Sequence, residues 1–208
     1  MIRHILFDLD CTIYSVRLGL EDNVVERMIR FLADFLGTSV EEARAERGKS
    51  AGKYGTTMEW IMAEKGFTDV DFYLRSVHPE DEADSLYPVP GLREFLEGLP
   101  CPCSILTNSP RFHADRIIKK MELEGVFTGI FDIKDNNFRG KPHAQAFQRT
   151  LDALGRKPED TLFIDDYPRY VKGFLDMGGR GILLDEMDTY PDYPNERIKN
   201  LKELVRFL

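Results

Sequence analysis

The sequence predicts an α/β protein in which helices flank a parallel β-sheet and an all-helical segment is inserted after the first strand. From residue 92 onwards, short apolar runs alternate with stretches of helical periodicity, as expected for βα units that build a parallel sheet. Between residues 15 and 86 the apolar residues recur at helical spacing, and no run has the character of a strand. We therefore expect an α/β core formed by residues 1–14 and 87–208, and a helical insert formed by residues 15–86.

The first strand is the short apolar run Ile5-Leu6-Phe7, which ends in two carboxylates, Asp8 and Asp10. Residues i and i+2 of a strand point to the same face, so these two side chains would lie together where the chain leaves the sheet. Like charges at this spacing repel, and a bound cation or a role that needs one protonated carboxyl would relieve the repulsion. The alternative interpretation is a pair of solvated loop aspartates, with Thr12 capping the next segment.

The insert is predicted to contain four helices. The first covers residues 21–36, where apolar residues form a stripe along one face, and Gly37 follows as a stop signal. The second begins at Ser39, which stands at capping-box spacing from Glu42. A glycine- and lysine-rich stretch, residues 48–55, is predicted to be a flexible basic loop. Two short helices are expected after it, at 57–65 and 69–77.

Pro88 and the pair Pro90-Gly91 mark the return of the chain to the core. Beyond them, helices and strands are predicted to alternate. The helices are expected at 92–99, 111–122, 142–154, 171–177 and 195–207, and the strands at 104–107, 129–133, 161–164 and 181–184.

Polar side chains follow three of the predicted strands. They are Asp8, Asp10, Thr107, Asn108, Asp165 and Asp166. Ligands of parallel α/β sheets bind beyond the carboxyl ends of the strands, so we expect these side chains to meet at one site, together with Lys141 from a predicted helix start.

An excess of carboxylates suits a hard cation with oxygen ligands, and Mg²⁺ fits best because it commonly binds one or two carboxylates plus a substrate phosphate. Thr107, Asn108 and Lys141 offer donors for phosphoryl oxygens. An aspartate can also attack a phosphoryl group and form an aspartyl-phosphate. The chemistry of the residues therefore favours a metal-dependent reaction of a phosphate ester.

Charge and composition limit the possible partners. The chain of 208 residues has a net charge of −8, which argues against binding of nucleic-acid polymers or membrane surfaces. A small phosphorylated metabolite is the expected partner, and the sequence does not determine the oligomeric state. The N-terminal apolar run is too short for a signal peptide, and the three cysteines are expected to be reduced, as in a cytoplasmic protein.

Four motifs carry a resemblance to a known family. They are Asp8-Leu9-Asp10-Cys11-Thr12, Thr107-Asn108, Gly140-Lys141-Pro142 and Asp165-Asp166. The four motifs occur in the same order as those of the haloacid dehalogenase superfamily, and the chain resembles that superfamily over nearly its whole length. The resemblance implies a Rossmann-like core, and it implies that the helical insert is a cap of the family's C1 type.

The resemblance also implies a role for each matched residue. Asp8 would be the nucleophile that forms the aspartyl-phosphate, and Asp10 would be the acid for the leaving alcohol and then the base that activates water. Thr107 and Lys141 would bind the phosphoryl group, and Lys141 would also restrain Asp8. The second aspartate favours phosphate-ester hydrolysis, because the true dehalogenases of the superfamily lack it.

The same resemblance implies a Mg²⁺ site. Asp8, the backbone carbonyl of Asp10 and Asp166 would bind the ion directly, and Asp165 would act through a metal-bound water. Related members commonly have a serine and an asparagine where this chain has Tyr167 and Tyr170, so these tyrosines are expected to change the surroundings of the metal.

Four short segments carry a finer resemblance: Phe7-Asp8-Leu9-Asp10-Cys11-Thr12-Ile13-Tyr14, Lys53-Tyr54-Gly55, Leu106-Thr107-Asn108 and Lys141-Pro142-His143-Ala144-Gln145-Ala146-Phe147. In these segments the chain is most similar, within the superfamily, to pyrimidine 5'-nucleotidase-like members. This similarity implies that the substrate is a nucleoside 5'-monophosphate, with Lys53 and Tyr54 of the basic loop as candidate contacts, although a solvated loop is an equal alternative. The other functions considered are a sugar-phosphate phosphatase, a phosphomutase of the same fold, and a non-catalytic member that binds a phosphorylated ligand.

Four further features receive structural interpretations. Trp60 is expected in the core of the insert, and the acidic run at 80–84 is expected to be a solvated linker. His113 and His143 are expected at the surface or at a helix start, and neither is expected to shuttle protons.

Overall fold

A computed structural model describes residues 1–50 and 52–208 and contains a parallel sheet of six strands. The strand order is β3-β2-β1-β4-β5-β6, so the first strand lies in the middle of the sheet. The strands are β1 (His4–Phe7), β2 (Cys103–Leu106), β3 (Ile130–Phe131), β4 (Thr161–Asp165), β5 (Arg180–Leu184) and β6 (Arg197–Ile198).

Eight α-helices accompany the sheet in the described residues. Four belong to the insert: α1 (Leu20–Leu36), α2 (Val40–Ser50), α3 (Thr57–Lys65) and α4 (Val70–Val77). Four belong to the core: α5 (Leu92–Glu97), α6 (Arg111–Lys120), α7 (Ala144–Leu154) and α8 (Pro168–Leu175). Short 3-10 helices lie at Val16–Leu18, Pro158–Asp160 and Leu201–Arg206. The predicted α/β fold with a parallel sheet flanked by helices is confirmed.

Both faces of the sheet are buried, because neighbouring residues along each strand face opposite layers of helices. Ile5 and Ile164 pack with residues of α5 and α6, whereas Leu6 and Phe163 pack with residues of α7 and α8. Burying one such side chain contributes about 1.5–3 kcal/mol. The strands therefore contain continuous apolar runs, and a polar residue in or after such a run marks the end of the strand.

The insert has a hydrophobic cluster of its own, formed mainly by residues of α1, α3 and α4. Trp60 lies in this cluster with 1% of its surface exposed, as predicted. Ile133 of the core packs against the same cluster, so the insert and the core share an apolar contact. In the described part of the chain, no helix combines the length and the apolar composition that a membrane crossing needs.

Some helix boundaries differ from the prediction. Helix α2 continues to Ser50, so the first residues of the predicted basic loop are helical, and residue 51 of that loop lies outside the described residues. The predicted helix at 142–154 begins at Ala144, with His143 as its N-terminal cap. The predicted C-terminal helix at 195–207 is wrong: β6 pairs with β5 at the open edge of the sheet, and the 3-10 helix follows. Backbone pairing at a free sheet edge overrides the local helical pattern there.

Candidate active site

The polar residues predicted at the strand ends lie at one edge of the sheet. Phe7, the last residue of β1, pairs in register with Ile105 of β2 and with Ile164 of β4. The chain segments that leave these three strands therefore emerge side by side. Asp8 and Thr107 are buried there, 6% and 1% exposed.

Lys141 lies between two of the carboxylates. Its Nζ donates to Asp8 Oδ1 at 2.5 Å and to Asp165 Oδ2 at 2.6 Å, and the side chain is almost completely buried. Burial alone would lower the pKa of Lys141, but the charges of Asp165 and Asp8 outweigh this effect and raise the pKa above its ordinary value. The lysine is therefore a fixed positive charge that faces the Asp8 carboxylate.

The position of Lys141 is fixed by Asn108. The Asn108 amide donates from Nδ2 to the Lys141 carbonyl at 3.0 Å, and its Oδ1 accepts from the Lys141 backbone N–H at 2.7 Å. Both polar atoms of the amide are thus engaged with the lysine backbone, although Asn108 was predicted to contact the substrate. The structure gives Asn108 the geometry of a support for Lys141.

Gly140 leaves the room that this amide needs. A Cβ atom at Gly140 would lie 2.0 Å from Asn108 Oδ1, so any side chain must displace the amide. We expect Gly140→Ala to destabilise the fold by about 1–3 kcal/mol and to lower kcat, because Lys141 loses its support. Urea denaturation and steady-state kinetics measure the two effects.

Gly48→Ala is the matched control. Among the described atoms nothing lies within 4 Å of the added Cβ, and we expect alanine at this position of α2 to stabilise the helix.

Asp8, Asp165 and Asp166 form a cluster of carboxylates whose oxygens lie within 4.8 Å of one another. Burial, reinforced by neighbouring carboxylates, raises the pKa of Asp8 to about 8 and that of Asp166 to about 9, despite the nearby lysine. One lysine therefore does not balance the negative charge of the cluster. A purely oxygen donor set with excess negative charge fits a hard divalent cation.

The two aspartates of the last motif differ in their contacts. Asp165 accepts from Lys141 Nζ and, at 2.8 Å, from the backbone N–H of Tyr167. The Asp166 carboxylate has no hydrogen bond to any described residue. The Tyr170 ring lies over Lys141, with 5.1 Å between Nζ and the ring centroid, and its hydroxyl donates to the carbonyl of Gly55 in the insert. Tyr170 is thus packed against the lysine, and it connects the core to the insert.

Asp10 lies outside the carboxylate cluster and has three hydrogen-bond donors of its own. Its Oδ1 accepts from the Tyr14 hydroxyl at 2.7 Å and from His113 Nε2 at 2.8 Å, and its Oδ2 accepts from the Ser109 hydroxyl at 2.8 Å. Burial would raise the pKa of Asp10, but the His113 charge and these hydrogen bonds hold the pKa below its usual range.

His113 was predicted at the surface or at a helix start. It lies in the first turn of α6, but its side chain is completely buried, so the surface alternative is wrong. The ring joins Asp10 to Glu82, whose Oε1 lies 2.7 Å from Nδ1. Burial opposes charging of the ring, but the two carboxylates raise the pKa of His113 to about 10. The solvated linker predicted at 80–84 is therefore also wrong at Glu82, which is 8% exposed.

A cavity of about 390 Å³ opens between this edge of the sheet and the insert. Asp8, Asp10 and Asp166 line its inner wall. Side chains of the insert line the opposite wall, namely Glu21, Arg47, Tyr54, Thr57, Trp60 and Tyr73. The cavity can therefore accept a molecule whose reacting end lies at the carboxylates and whose remainder contacts the insert.

The basic loop contributes to this wall only in part. Tyr54 lines the cavity, and its hydroxyl donates to Glu64. Lys53 is not among the lining residues; it pairs with Glu64 at 2.8 Å, and 70% of its side chain is exposed. Among the described basic residues of the insert, Arg47 lines the cavity, and it donates from Nε to Thr57 at 2.9 Å.

Contacts between the insert and the core surround the cavity. His143 Nε2 lies 2.8 Å from Glu59 Oε2, and Arg169 donates to the Tyr54 carbonyl at 2.9 Å. His143 thus lies at a helix start, as predicted, and its side chain faces the insert. The insert is held over the strand ends by side chains from both parts of the chain.

Sequence reasoning missed several residues of the site. They are Tyr14, Glu21, Arg47, Glu82, Ser109 and His113. The helical period gives one signal that could have found His113, because it lies four residues before buried Ile117 on α6 and shares its face. The contacts of Ser109 with Asp10 and of Glu82 with His113 span 99 and 31 residues, so no local pattern marks them.

A model of one protein family matches most of the chain. It is described as haloacid dehalogenase-like hydrolase and covers residues 2–178. Among curated proteins, the enolase-phosphatase E1 of Persephonella marina is 27% identical over 87 residues, which is 40% of this chain and 37% of that protein. The chain therefore spans little more than a third of that relative.

Solved structures resemble the fold over its whole length. The HAD-hydrolase YfnB of Bacillus subtilis, in a crystal form bound to magnesium, has a TM-score of 0.67 at 21% identity. The similarity covers 100% of this chain and 98% of that one. The L-2-haloacid dehalogenase of Xanthobacter autotrophicus has a TM-score of 0.61 at 16% identity, with 99% of both chains covered. At these identities the likeness concerns the fold alone.

Proposed function

Because the chain belongs to the haloacid dehalogenase-like hydrolases, we propose that it is a Mg²⁺-dependent phosphomonoesterase that acts through an aspartyl-phosphate on Asp8. One observation carries the proposal: Asp8 faces the cavity with the buried Lys141 ammonium against it, and Asp10 lies two residues away. A nucleophile, a fixed cation and an acid–base group are thus within one site. The test is release of inorganic phosphate from p-nitrophenyl phosphate in the presence of Mg²⁺.

The residues of the chain divide the reaction into two steps. An oxygen of Asp8 attacks phosphorus, the bond from phosphorus to the ester oxygen breaks, and Asp10 gives a proton to that oxygen. Water then attacks phosphorus, Asp10 takes a proton from it, and the bond to Asp8 breaks with its electron pair returning to the carboxylate. Thr107 and Lys141 would hold the phosphoryl oxygens during both steps.

The carboxylate cluster supports the metal part of the proposal. Asp8, Asp166 and the backbone carbonyl of Asp10 would bind the ion, and Asp165, already held by Lys141, would act through a bound water. When bound, the ion offsets the repulsion between the attacking carboxylate and the anionic phosphate. The raised pKa values of Asp8 and Asp166 fit this role, because burial leaves both charges without sufficient compensation.

We infer further that the insert, residues 15–86, is a cap that selects the substrate, and that the substrate is a pyrimidine nucleoside 5'-monophosphate. The cavity volume of about 390 Å³ suits a ligand of nucleotide size, and the aromatic side chain of Tyr54 offers a surface for a base. The alternatives are a sugar-phosphate phosphatase, a phosphomutase and a non-catalytic binder. A panel of nucleotides and sugar phosphates, compared by kcat/KM, distinguishes among them.

Arg47 is the basic residue of the insert that we expect to affect substrate choice. Arg47 lines the cavity, so Arg47→Ala should lower kcat/KM for the preferred phosphate ester by about 10–100-fold. Hydrolysis of p-nitrophenyl phosphate, which is too small to span the cavity, should change little. Steady-state kinetics on both substrates measure this difference.

Lys53→Ala is the matched control for Arg47→Ala. Lys53 is a basic residue of the same insert but pairs with Glu64 at the surface, so both substrates should be hydrolysed as before. A loss of nucleotide hydrolysis in Lys53→Ala, with none in Arg47→Ala, would indicate that Lys53 contacts the substrate and that Arg47 does not.

A further inference from the structure

His113 joins the Asp10 carboxylate to a second buried carboxylate, that of Glu82. The ring nitrogens lie 2.8 Å from Asp10 Oδ1 and 2.7 Å from Glu82 Oε1, and no part of the ring is exposed. The two carboxylates come from distant parts of the chain, one after β1 and one between α4 and α5. The His113 ring therefore connects these two carboxylates directly.

Glu82 is itself fixed from several sides. Its Oε1 also accepts from Arg116 Nη1 at 2.7 Å, and its Oε2 lies 2.9 Å from His78 Nδ1. Arg27 lies 3.6 Å from Oε2. A carboxylate with this many cationic and donor neighbours cannot turn, so the His113 ring that it holds cannot turn either.

The hydrogen bonds at Asp10 leave one position open. A carboxylate oxygen accepts about two hydrogen bonds. Oδ1 already accepts two, from Tyr14 and His113, whereas Oδ2 accepts one, from Ser109. Asp10 lines the cavity, so the remaining acceptor position, on Oδ2, is available to a bound molecule.

We propose that His113, anchored by Glu82, is a positioning residue that directs Oδ2 of Asp10 toward the reacting phosphate ester. The inference rests on the proposed function of Asp10. In the first step the proton on Oδ2 passes to the ester oxygen as its bond to phosphorus breaks. In the second step Oδ2 takes a proton from the attacking water as the bond between phosphorus and Asp8 breaks. The geometry carries this assignment, because one ring nitrogen lies within hydrogen-bond distance of each carboxylate.

The leaving group provides the test. A phenolate such as p-nitrophenolate leaves without a proton, whereas an alkoxide needs one. In His113→Leu we expect kcat/KM for an alkyl phosphate to fall about 10²-fold and kcat/KM for p-nitrophenyl phosphate to stay within about threefold. Because hydrolysis of the aspartyl-phosphate also needs Oδ2, kcat for p-nitrophenyl phosphate should fall, and rapid mixing should show a burst of p-nitrophenol.

A conservative variant keeps the test independent of folding. The amide nitrogen of glutamine can occupy the place of Nε2. For the alkyl phosphate, kcat/KM of His113→Gln should therefore be at least about tenfold higher than that of His113→Leu, and the burst should be absent. Glu82→Gln, which leaves the ring in place but weakens its anchor, should give an intermediate loss. Ile117→Ala is the control for stability: it removes a buried side chain of the same helix, so the melting temperature should fall and neither the leaving-group dependence nor the burst should appear.

Other results would overturn the inference. Equal losses on both esters in His113→Leu, without a burst, would leave His113 only a structural role. The same conclusion would follow if Ile117→Ala showed the leaving-group dependence and the burst, because lost stability would then explain both. Asp10→Asn distinguishes a failure of the positioning role of His113 from a failure of the proposed phosphatase function. If it shows the leaving-group dependence and His113→Leu does not, the positioning role fails and the phosphatase proposal stands. If a folded Asp8→Asn variant retains activity, the phosphatase mechanism itself fails.

Discussion

Asp8→Asn should abolish turnover of phosphate esters, with a loss in kcat of about three orders of magnitude or more. The amide has nearly the same shape as the carboxylate but is a very poor nucleophile, so the aspartyl-phosphate cannot form. Phosphate release from a simple aryl ester measures the loss. Trapping of phosphorylated protein with a radiolabelled substrate should succeed with the wild type and fail with the variant.

The fold should survive this substitution, because the Asp8 charge opposes folding. Burial raises the pKa of Asp8 to about 8 from an ordinary value of 3.8, so its contribution to stability is complete below pH 3.8 and is lost as the pH rises through about 8. Without metal, Asp8→Asn should therefore melt at the wild-type temperature at low pH and above it near neutral pH. Near-normal activity in this folded variant would contradict the assignment of Asp8 as the nucleophile.

Removal of divalent metal should have an effect of similar size. EDTA should abolish activity and added Mg²⁺ should restore it, because the carboxylate cluster is an oxygen-only donor set with uncompensated charge. A measurement that does not depend on turnover is the melting temperature, which should rise with Mg²⁺ concentration in the wild type as ligand binding stabilises the folded state.

The two aspartates of the last motif should respond differently to this titration. Asp165 is held by Lys141 and a backbone N–H, whereas Asp166 has no hydrogen bond to a described residue. Asp166→Ala should therefore raise the Mg²⁺ concentration needed for half-maximal stabilisation more than Asp165→Ala does. Asp165→Ala should reduce kcat at saturating Mg²⁺ instead, since it leaves Lys141 with one carboxylate. Equal apparent affinities for Mg²⁺ in the two variants would contradict this division of roles.

Hydrogen bonds connect the residues of these predictions to the rest of the site. Lys141 fixes the carboxylate expected to attack, and Asn108 fixes Lys141 through its backbone. His113 and Glu82 hold Asp10 in the same way from the opposite side. Two fixed carboxylates thus face one cavity in different electrostatic surroundings: burial raises the pKa of Asp8, and donors lower that of Asp10.

The sequence alone predicted the parallel sheet and the edge at which its polar residues meet. Asp8, Thr107 and Asp165 could be found because each directly follows or ends a short apolar run, and the backbone geometry of parallel strands brings such ends together. Helix caps were equally local: the predicted capping box at Ser39 and Glu42 is present in the structure. These features depend on neighbours within a few residues, which the order of the chain specifies directly.

Only the tertiary structure decided which distant side chains complete the site. The burial of Glu82 within an acidic run, the contact of His113 with Asp10 and the exposure of Lys53 depend on how the insert and the helices pack against the strand ends. The edge strand β6 likewise exists because β5 offers it a partner. A local pattern fixes which backbone element a residue joins, but the burial and pairing of a charged side chain are set by desolvation and by partners that can lie more than a hundred residues away.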